Sequence, residues 1–217
     1  MNAIFNNKQL CSKIKGFIQI GACIGEEIPY WNKLQIQNQV YIEPIPEIFA
    51  QLVENIKLQE FKPNVKAINC AVGKRDEIKD FFISKGSYCS SSLLQFDLNA
   101  TKYGDTLQSI GSIKVPVKTL NTIWKEHNLN YNDYNLLYVD AQGCEGLIVK
   151  GGEEIIRNID FFFVEVNIIP LYEEVMLWNE FNKYVSSLGQ LLVDLRNLEG
   201  SQGTQKEALF INKNFKW

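Results

Sequence analysis

Three carboxylates stand at or near the ends of apolar runs in the second half of the chain. Asp140 ends YNLLYVD, Glu145 follows it closely, and Glu165 lies within DFFFVEVN. A hydroxyl is a poor nucleophile until its proton begins to leave, and a carboxylate at a strand end is placed to accept that proton. Asp140 is the first candidate for such a catalytic base, Glu165 the second and Glu145 the third. With Asn167, Asp140 and Glu165 also form an oxygen-rich trio of the kind Mg2+ uses; spacing alone does not converge such oxygens, and no metal is assigned. The only histidine, His127 in TIWKEHN, suits proton transfer, but it lies far along the chain from these strand ends and reads as a solvated helix residue.

The other stretch with chemistry in it is FIQIGACIGEE (17–27), an apolar run closing in two glycines, Gly21 and Gly25. A dinucleotide fingerprint G-x-G-x-x-G would need glycine where Cys23 and Glu26 stand, and a phosphate loop would need Lys after Gly25. Glu26 and Glu27 would repel a pyrophosphate at this turn, so an acidic turn prefers a ligand with a cationic part. Glu43, at the end of QVYIEP, is placed to accept both hydroxyls of a ribose. A glycine turn, an acidic second strand end and no diphosphate signature point to S-adenosylmethionine, which joins an adenosine to a sulfonium and an amino-acid tail.

The elements that must position these residues follow from periodicity. GFIQIG (16–21), QVYIEP (39–44), NVKAINCAVG (64–73), YNLLYVD (134–140) and DFFFVEVN (160–167) read as strands buried on both faces. Helical patterns separate them: up to about Leu34, over 46–59 with Ile48, Phe49, Leu52, Val53 and Ile56 on one face, through EGLIVKGGEEIIRN, and through LYEEVMLWNEFNKYVSSLG. Such alternation predicts an α/β fold, an open and mostly parallel sheet with helices on both faces. QLLVDLRN (190–197) and EALFINK (207–213) have no helix between them and predict a C-terminal antiparallel hairpin at the sheet edge. EIKDFFIS (77–84) and SIKVPVKTL (112–120) read as extended around a Ser-rich loop, SKGSYCSSSLL, a mobile connector or a binding flap.

Composition bounds the rest. The 217 residues fit a single domain, and a net charge of −3 without a Lys/Arg cluster argues against a nucleic-acid partner. No run of 18 apolar residues suggests a membrane span, and the N-terminus lacks a signal-peptide core, so a soluble cytoplasmic protein is expected. Five cysteines without a C-x-x-C pair suggest neither a disulfide framework nor zinc, and reduced thiols are the expectation.

In order, FIQIGACIG, VYIEPIPEIFAQLVENI, NCAVG, SSSLL, VPVKTLNTIW, LLYVDAQGCEGLIVKGG, FFFVEVNIIPLY and ALFINK are similar to segments of one family. From about Phe17 to Lys213 the chain resembles the FkbM family of S-adenosylmethionine-dependent methyltransferases, whose fold is the class I Rossmann-like sheet. The resemblance puts Gly21, Ala22 and Gly25 around the cofactor's methionine portion, with Gln19, Cys23 and Pro44 beside them. Glu43 would hold the ribose, Asn69, Cys70 and Ala71 would lie near adenine, and Asp140 would face the methionine amine and the substrate. Departures fall at Gln19, Cys23, Gln142 and Asn167, where the family often has Asp, Asn, Glu and His. The activity implied is O-methylation of a sugar or glycan hydroxyl, with a small secondary metabolite as alternative acceptor or a non-catalytic cofactor-binding module as alternative role. Tyr88, Asn167 and Tyr172 are the candidate acceptor contacts. Little chain precedes the first strand to cover an acceptor, so a homodimer or further domains of a longer chain would complete that pocket.

Overall fold

The computed structural model describes residues 8–97, 99 and 107–216. Ten strands form two sheets: β1 (Gly16–Ile20), β2 (Asn38–Ile42), β3 (Asn64–Ile68), β4 (Ala71–Val72), β5 (Glu77–Ser84), β6 (Ser109–Lys118), β7 (Leu136–Val139), β8 (Phe161–Asn167), β9 (Gln190–Asn197) and β10 (Gln205–Asn212). The helices are α1 (Lys8–Cys11), α2 (Ile28–Lys33), α3 (Pro46–Lys57), α4 (Leu120–Glu126), α5 (Glu145–Lys150), α6 (Glu153–Asn158) and α7 (Trp178–Ser187).

The main sheet runs β3-β2-β1-β7-β8-β10-β9, and its first five strands are parallel. Every residue of β1, β7 and β8 is buried, as their mostly apolar sequences suit strands covered on both faces, and Gln19, Glu165 and Asn167 are buried with them. One face packs Ile18, Val40, Leu137 and Phe162 against α4 to α7, and the other packs Phe17, Tyr41, Tyr138 and Phe161 against α1 and α2. The expected terminal hairpin is present, with β10 inserted antiparallel between β8 and β9. β5 and β6 pair antiparallel and, with β4 beside β6, make a separate three-stranded sheet that carries the Ser-rich loop.

Strand order reverses between β1 and β7, the position where open α/β sheets bind ligands. The Asp140 N–H donates to the Ile20 carbonyl at 3.0 Å, so the glycine turn and the first candidate base sit side by side.

Three elements depart from the sequence expectation. The third strand stops at Ile68, because the chain crosses to the second sheet, where Ala71 and Val72 pair with Val117 and Lys118. The helix expected across 145–158 is two helices, broken where the backbone passes close to its neighbours. A Cβ on Gly151 would lie 2.1 Å from the Gly73 carbonyl oxygen, and one on Gly152 would lie 2.7 Å from Leu120. The last long helix begins at Trp178 rather than Leu171. Asp97 N–H to Leu171 O (3.0 Å) and Glu173 N–H to Gln95 O (2.8 Å) hold the intervening segment extended against the loop.

Candidate functional site

A cavity open to solvent lies at the carboxyl ends of β1, β2 and β7, where ligand pockets of α/β sheets form. Its floor is Gly21 and Asp140, one wall is Glu43, Pro44, Cys70 and Ala71, and the opposite wall comes from the Ser-rich loop through Tyr88, Cys89, Ser91 and Leu93. Four carboxylates (Glu26, Glu27, Glu43, Asp140) and no Lys, Arg or His line it among the described residues. An acidic cavity without a counter-cation selects a ligand that brings positive charge.

The glycine turn is built by close approach. Gly21 has φ +79°, and a Cβ there would sit 1.8 Å from the Asp140 carbonyl oxygen, so only glycine fits. Glu43 fixes the same turn from the other side: its carboxylate accepts from Cys23 N–H at 3.0 Å and from Ile45 N–H at 2.9 Å. These two bonds orient the carboxylate and leave lone pairs for two ligand hydroxyls. Burial pushes Glu43 up to about 7, against the pull of those two amides.

Of the expected cofactor contacts, Gly21, Cys23, Glu43, Pro44, Cys70, Ala71 and Asp140 line the cavity. Gln19, Ala22, Gly25 and Asn69 lie behind that lining. Gln19 is fully buried, donates to Glu27 at 2.9 Å and accepts from the Trp31 indole at 3.0 Å, so it fastens α2 to β1. Asn69 donates to the Glu43 and Pro44 carbonyls and braces the wall they form.

The candidate bases separate by environment. Glu145 accepts from Ala141 N–H (3.1 Å) and Gly143 N–H (3.2 Å), an arrangement that clamps the turn after β7. Asp140 faces the cavity and accepts from the Gln142 side-chain amide at 2.6 Å, while the same nitrogen lies 3.4 Å from Glu165. Gln142 adopts φ +51° and its side-chain amide oxygen accepts from the Tyr172 hydroxyl at 2.8 Å. Tyr172 is therefore buried in this network, whereas Tyr88 is exposed on the cavity rim. Asn167 lies beyond Glu165 at the end of β8, outside the cavity lining and buried, with its side-chain oxygen unpartnered among the described residues. His127 ends α4, away from the cavity, and its carbonyl accepts from Lys66. No cluster of three or more His, Cys, Asp or Glu disposed to hold a metal ion occurs among the described residues.

Burial raises Asp140 to about 7, with Gln142 working against it, and raises Glu145 to about 7; Glu165 is raised further by burial and by Asp140. Asp140 and Glu165 are thus each held above the ordinary carboxylate range, with the Gln142 amide between them. These shifts also bear on stability. A folded chain that keeps protons the unfolded chain releases is stabilised fully below the ordinary carboxylate range, and loses that stability as pH rises toward about 7. His127, pushed down by burial, works in the opposite sense across that window, as one group against five with Glu27 and Glu165 included. The melting temperature of the ligand-free protein should therefore be higher at about pH 5.5 than at about pH 7.5, by roughly 3 °C or more. A melting temperature that rises over this interval would contradict the assignment of these buried acids.

The expectation of five reduced thiols is corrected by a disulfide between Cys23 and Cys89, while Cys11, Cys70 and Cys144 are free. Their 66-residue separation explains why sequence spacing gave no sign of the pairing: the fold brings the glycine turn and the Ser-rich loop together.

A sheet of order β3-β2-β1-β7-β8-β10-β9 with one antiparallel insertion, and an acidic cavity at its switch point, defines a class I S-adenosylmethionine-dependent methyltransferase. Solved structures agree on the fold. Streptococcus pneumoniae Sp1610 in complex with S-adenosyl-L-methionine is similar with a TM-score of 0.51 and 10% identity, over 97% of this chain and 73% of that one. M. capricolum TrmK in complex with S-adenosyl-homocysteine is similar with a TM-score of 0.51 and 10% identity, over 97% and 67%. An uncharacterized protein from Listeria monocytogenes serotype 4b has a TM-score of 0.53 at 9% identity, over 97% and 69%. No curated protein matches the sequence. Residues 19–192 match the methyltransferase FkbM domain, and the chain belongs to that family. Its cofactor is S-adenosylmethionine. Among the described residues no helix is long and apolar enough to cross a membrane.

Proposed function

We propose that the protein transfers the methyl group of S-adenosylmethionine to a hydroxyl of a sugar or glycan, with Asp140 as the base. The observation that carries this reading is the position of Asp140: it shares the cavity floor with Gly21 and has a proton affinity near neutrality. Hydroxyl acceptors are what the resemblance to the FkbM family implies, and glycan hydroxyls are prominent among them.

The residues present fit the cofactor. Gly21 lets the turn pass against the Asp140 backbone where any side chain would clash, Glu43 offers an anchored carboxylate to a ribose, and the acidic lining suits a sulfonium and an ammonium. Cys70 and Ala71 provide the wall for adenine, and Pro44 closes the edge beside Glu43. When bound, the cofactor supplies a methyl group already activated toward displacement, so the protein's work is orientation and proton removal. Asp140 takes the acceptor proton, and the Gln142 amide holds it at a fixed distance from Glu165. Tyr172 locks Gln142, and Glu145 locks the turn that presents both. Tyr88 on the rim meets the acceptor, and Asn167 beyond Glu165 marks the acceptor side of β8.

The test is methyl transfer from labelled cofactor to a panel of free sugars, nucleotide sugars, oligosaccharides and small hydroxylated metabolites, beside calorimetric cofactor binding. A methyl ether on a sugar hydroxyl is the expected product. Transfer confined to small metabolites moves the acceptor class, and binding with no transfer to any hydroxyl would leave a cofactor-binding module.

A further inference from the structure

The Cys23–Cys89 disulfide joins two opposite parts of the cavity. Cys23 belongs to the glycine turn and has φ +45°, and its N–H is held by Glu43. Cys89 lies in the short 3-10 turn Tyr88–Ser90 at the tip of the Ser-rich loop. Both line the cavity, with Tyr88 beside Cys89.

The two halves of that loop are held differently. From Ser91 onward it is fastened to the protein body. Ser92 pairs with Phe82 through both backbone bonds (2.7 and 3.0 Å), and its hydroxyl donates to the Gln142 carbonyl at 2.7 Å. The tip, 86–89, is exposed, and among the described residues its hydrogen bonds are local. Gly86 N–H meets the Ser84 hydroxyl, and Cys89 N–H meets the Ser87 hydroxyl. The disulfide is the tip's one tie to the cofactor turn among these interactions. Cys89 is exposed and Cys23 only half-buried, so the bond is open to an attacking thiolate.

We infer that Cys23–Cys89 is a redox-active site, a substrate for dithiol reductants, and that its state sets how firmly Tyr88 and the loop tip close the cofactor cavity. A thiolate of the dithiol attacks the Cys89 sulfur, the S–S bond breaks, and Cys23 leaves as a thiolate that takes a proton. The reductant's second thiol then attacks the mixed disulfide, frees Cys89 as a thiol and departs as the reductant's own disulfide. Two electrons and two protons pass from the dithiol to the protein. The wall formed by Ser91 and Leu93 stays in place, while the Tyr88 side opens.

The inference rests on the cofactor placement proposed above, and the experiment separates the two. Full-length protein is prepared oxidised in air and reduced with dithiothreitol, and thiols are counted after denaturation. The oxidised form should show three, corresponding to Cys11, Cys70 and Cys144, and the reduced form five. Release of S-adenosylhomocysteine, followed by stopped flow, should be at least about fivefold faster from the reduced form, and trypsin should cut after exposed Lys85 correspondingly faster. Cys89→Ser should release at the reduced rate and ignore dithiothreitol, whereas Cys11→Ser should keep the full difference. Five titratable thiols in the air-oxidised protein would overturn the proposal. So would equal release rates from two forms whose thiol counts differ, or a Cys89→Ser protein that still responds to reductant. If the cofactor binds elsewhere, Glu43→Gln will leave its affinity unchanged whatever the thiol state.

Discussion

Asp140→Asn abolishes most methyl transfer, by about 10³-fold in turnover, while cofactor affinity changes less than about tenfold. Asparagine keeps the shape of the side chain and still accepts from the Gln142 amide, so the turn after β7 stays in place. What it loses is the proton acceptor. In the wild type, Asp140 must shed its own proton before it can act, and burial has raised it to about 7. The wild-type rate should climb with pH and level off above about 7, and the residual rate of the variant should lack that limb. Folding is a clean control here. The substitution removes one of the charges that crowd this region, Glu27, Glu165 and Glu207 being its like-charged neighbours, so the melting temperature should not fall. Near-normal transfer by Asp140→Asn, with loss in Glu165→Gln instead, would hand the role to Glu165.

Gly21→Ala should destabilise the protein by about 4 kcal/mol or more and abolish cofactor binding. Two costs combine. The residue has φ +79°, where a side chain costs about 1–2 kcal/mol. In addition, the new Cβ would meet the Asp140 carbonyl oxygen at 1.8 Å, against backbone fixed at the ends of two adjacent buried strands. Neither strand can yield without moving the other, so the cofactor turn and the base are displaced together. Gly200 isolates the first cost: it has φ +81°, but nothing lies within 4 Å of its would-be Cβ. Gly200→Ala should therefore lose only about 1–2 kcal/mol and retain activity. Equal losses at both positions, measured by urea unfolding, would show that conformation rather than contact governs Gly21.

The sequence pattern carried the main sheet because its central strands are buried on both faces. GFIQI, LLYV and FFFVEVN are predominantly apolar runs, interrupted only at Gln19, Glu165 and Asn167, and read as interior strands. Gly21, Glu43 and Asp140 were legible for a related reason, since each stands where a strand ends and the ligand side begins. The losses were long-range. Nothing local to Gln19 indicates that its two amide ends are joined to Glu27 and Trp31. Gln142 gave no sign that it lies between two buried carboxylates, because Glu165 and Tyr172 reach it only through the fold. The glycine pair at 151–152 was absorbed into a helical period, since close backbone approach to Gly73 leaves no trace in local pattern. The disulfide was the largest omission, and it came from pairing a turn residue with a loop tip 66 positions away.

The insertion of β10 between β8 and β9 has a consequence for how the chain is made. On a ribosome β8 and β9 emerge first, yet they never touch as neighbours in the finished sheet. Until residues 205–212 arrive, the apolar edge of β8 has no partner strand, and α7 and β9 must wait without closing the gap. The last strand of this sheet to emerge is therefore the one that joins its two parts. The nascent sheet remains open along one seam until residues 205–212 have been made, a stage at which unpaired strand edges are most exposed to wrong partners.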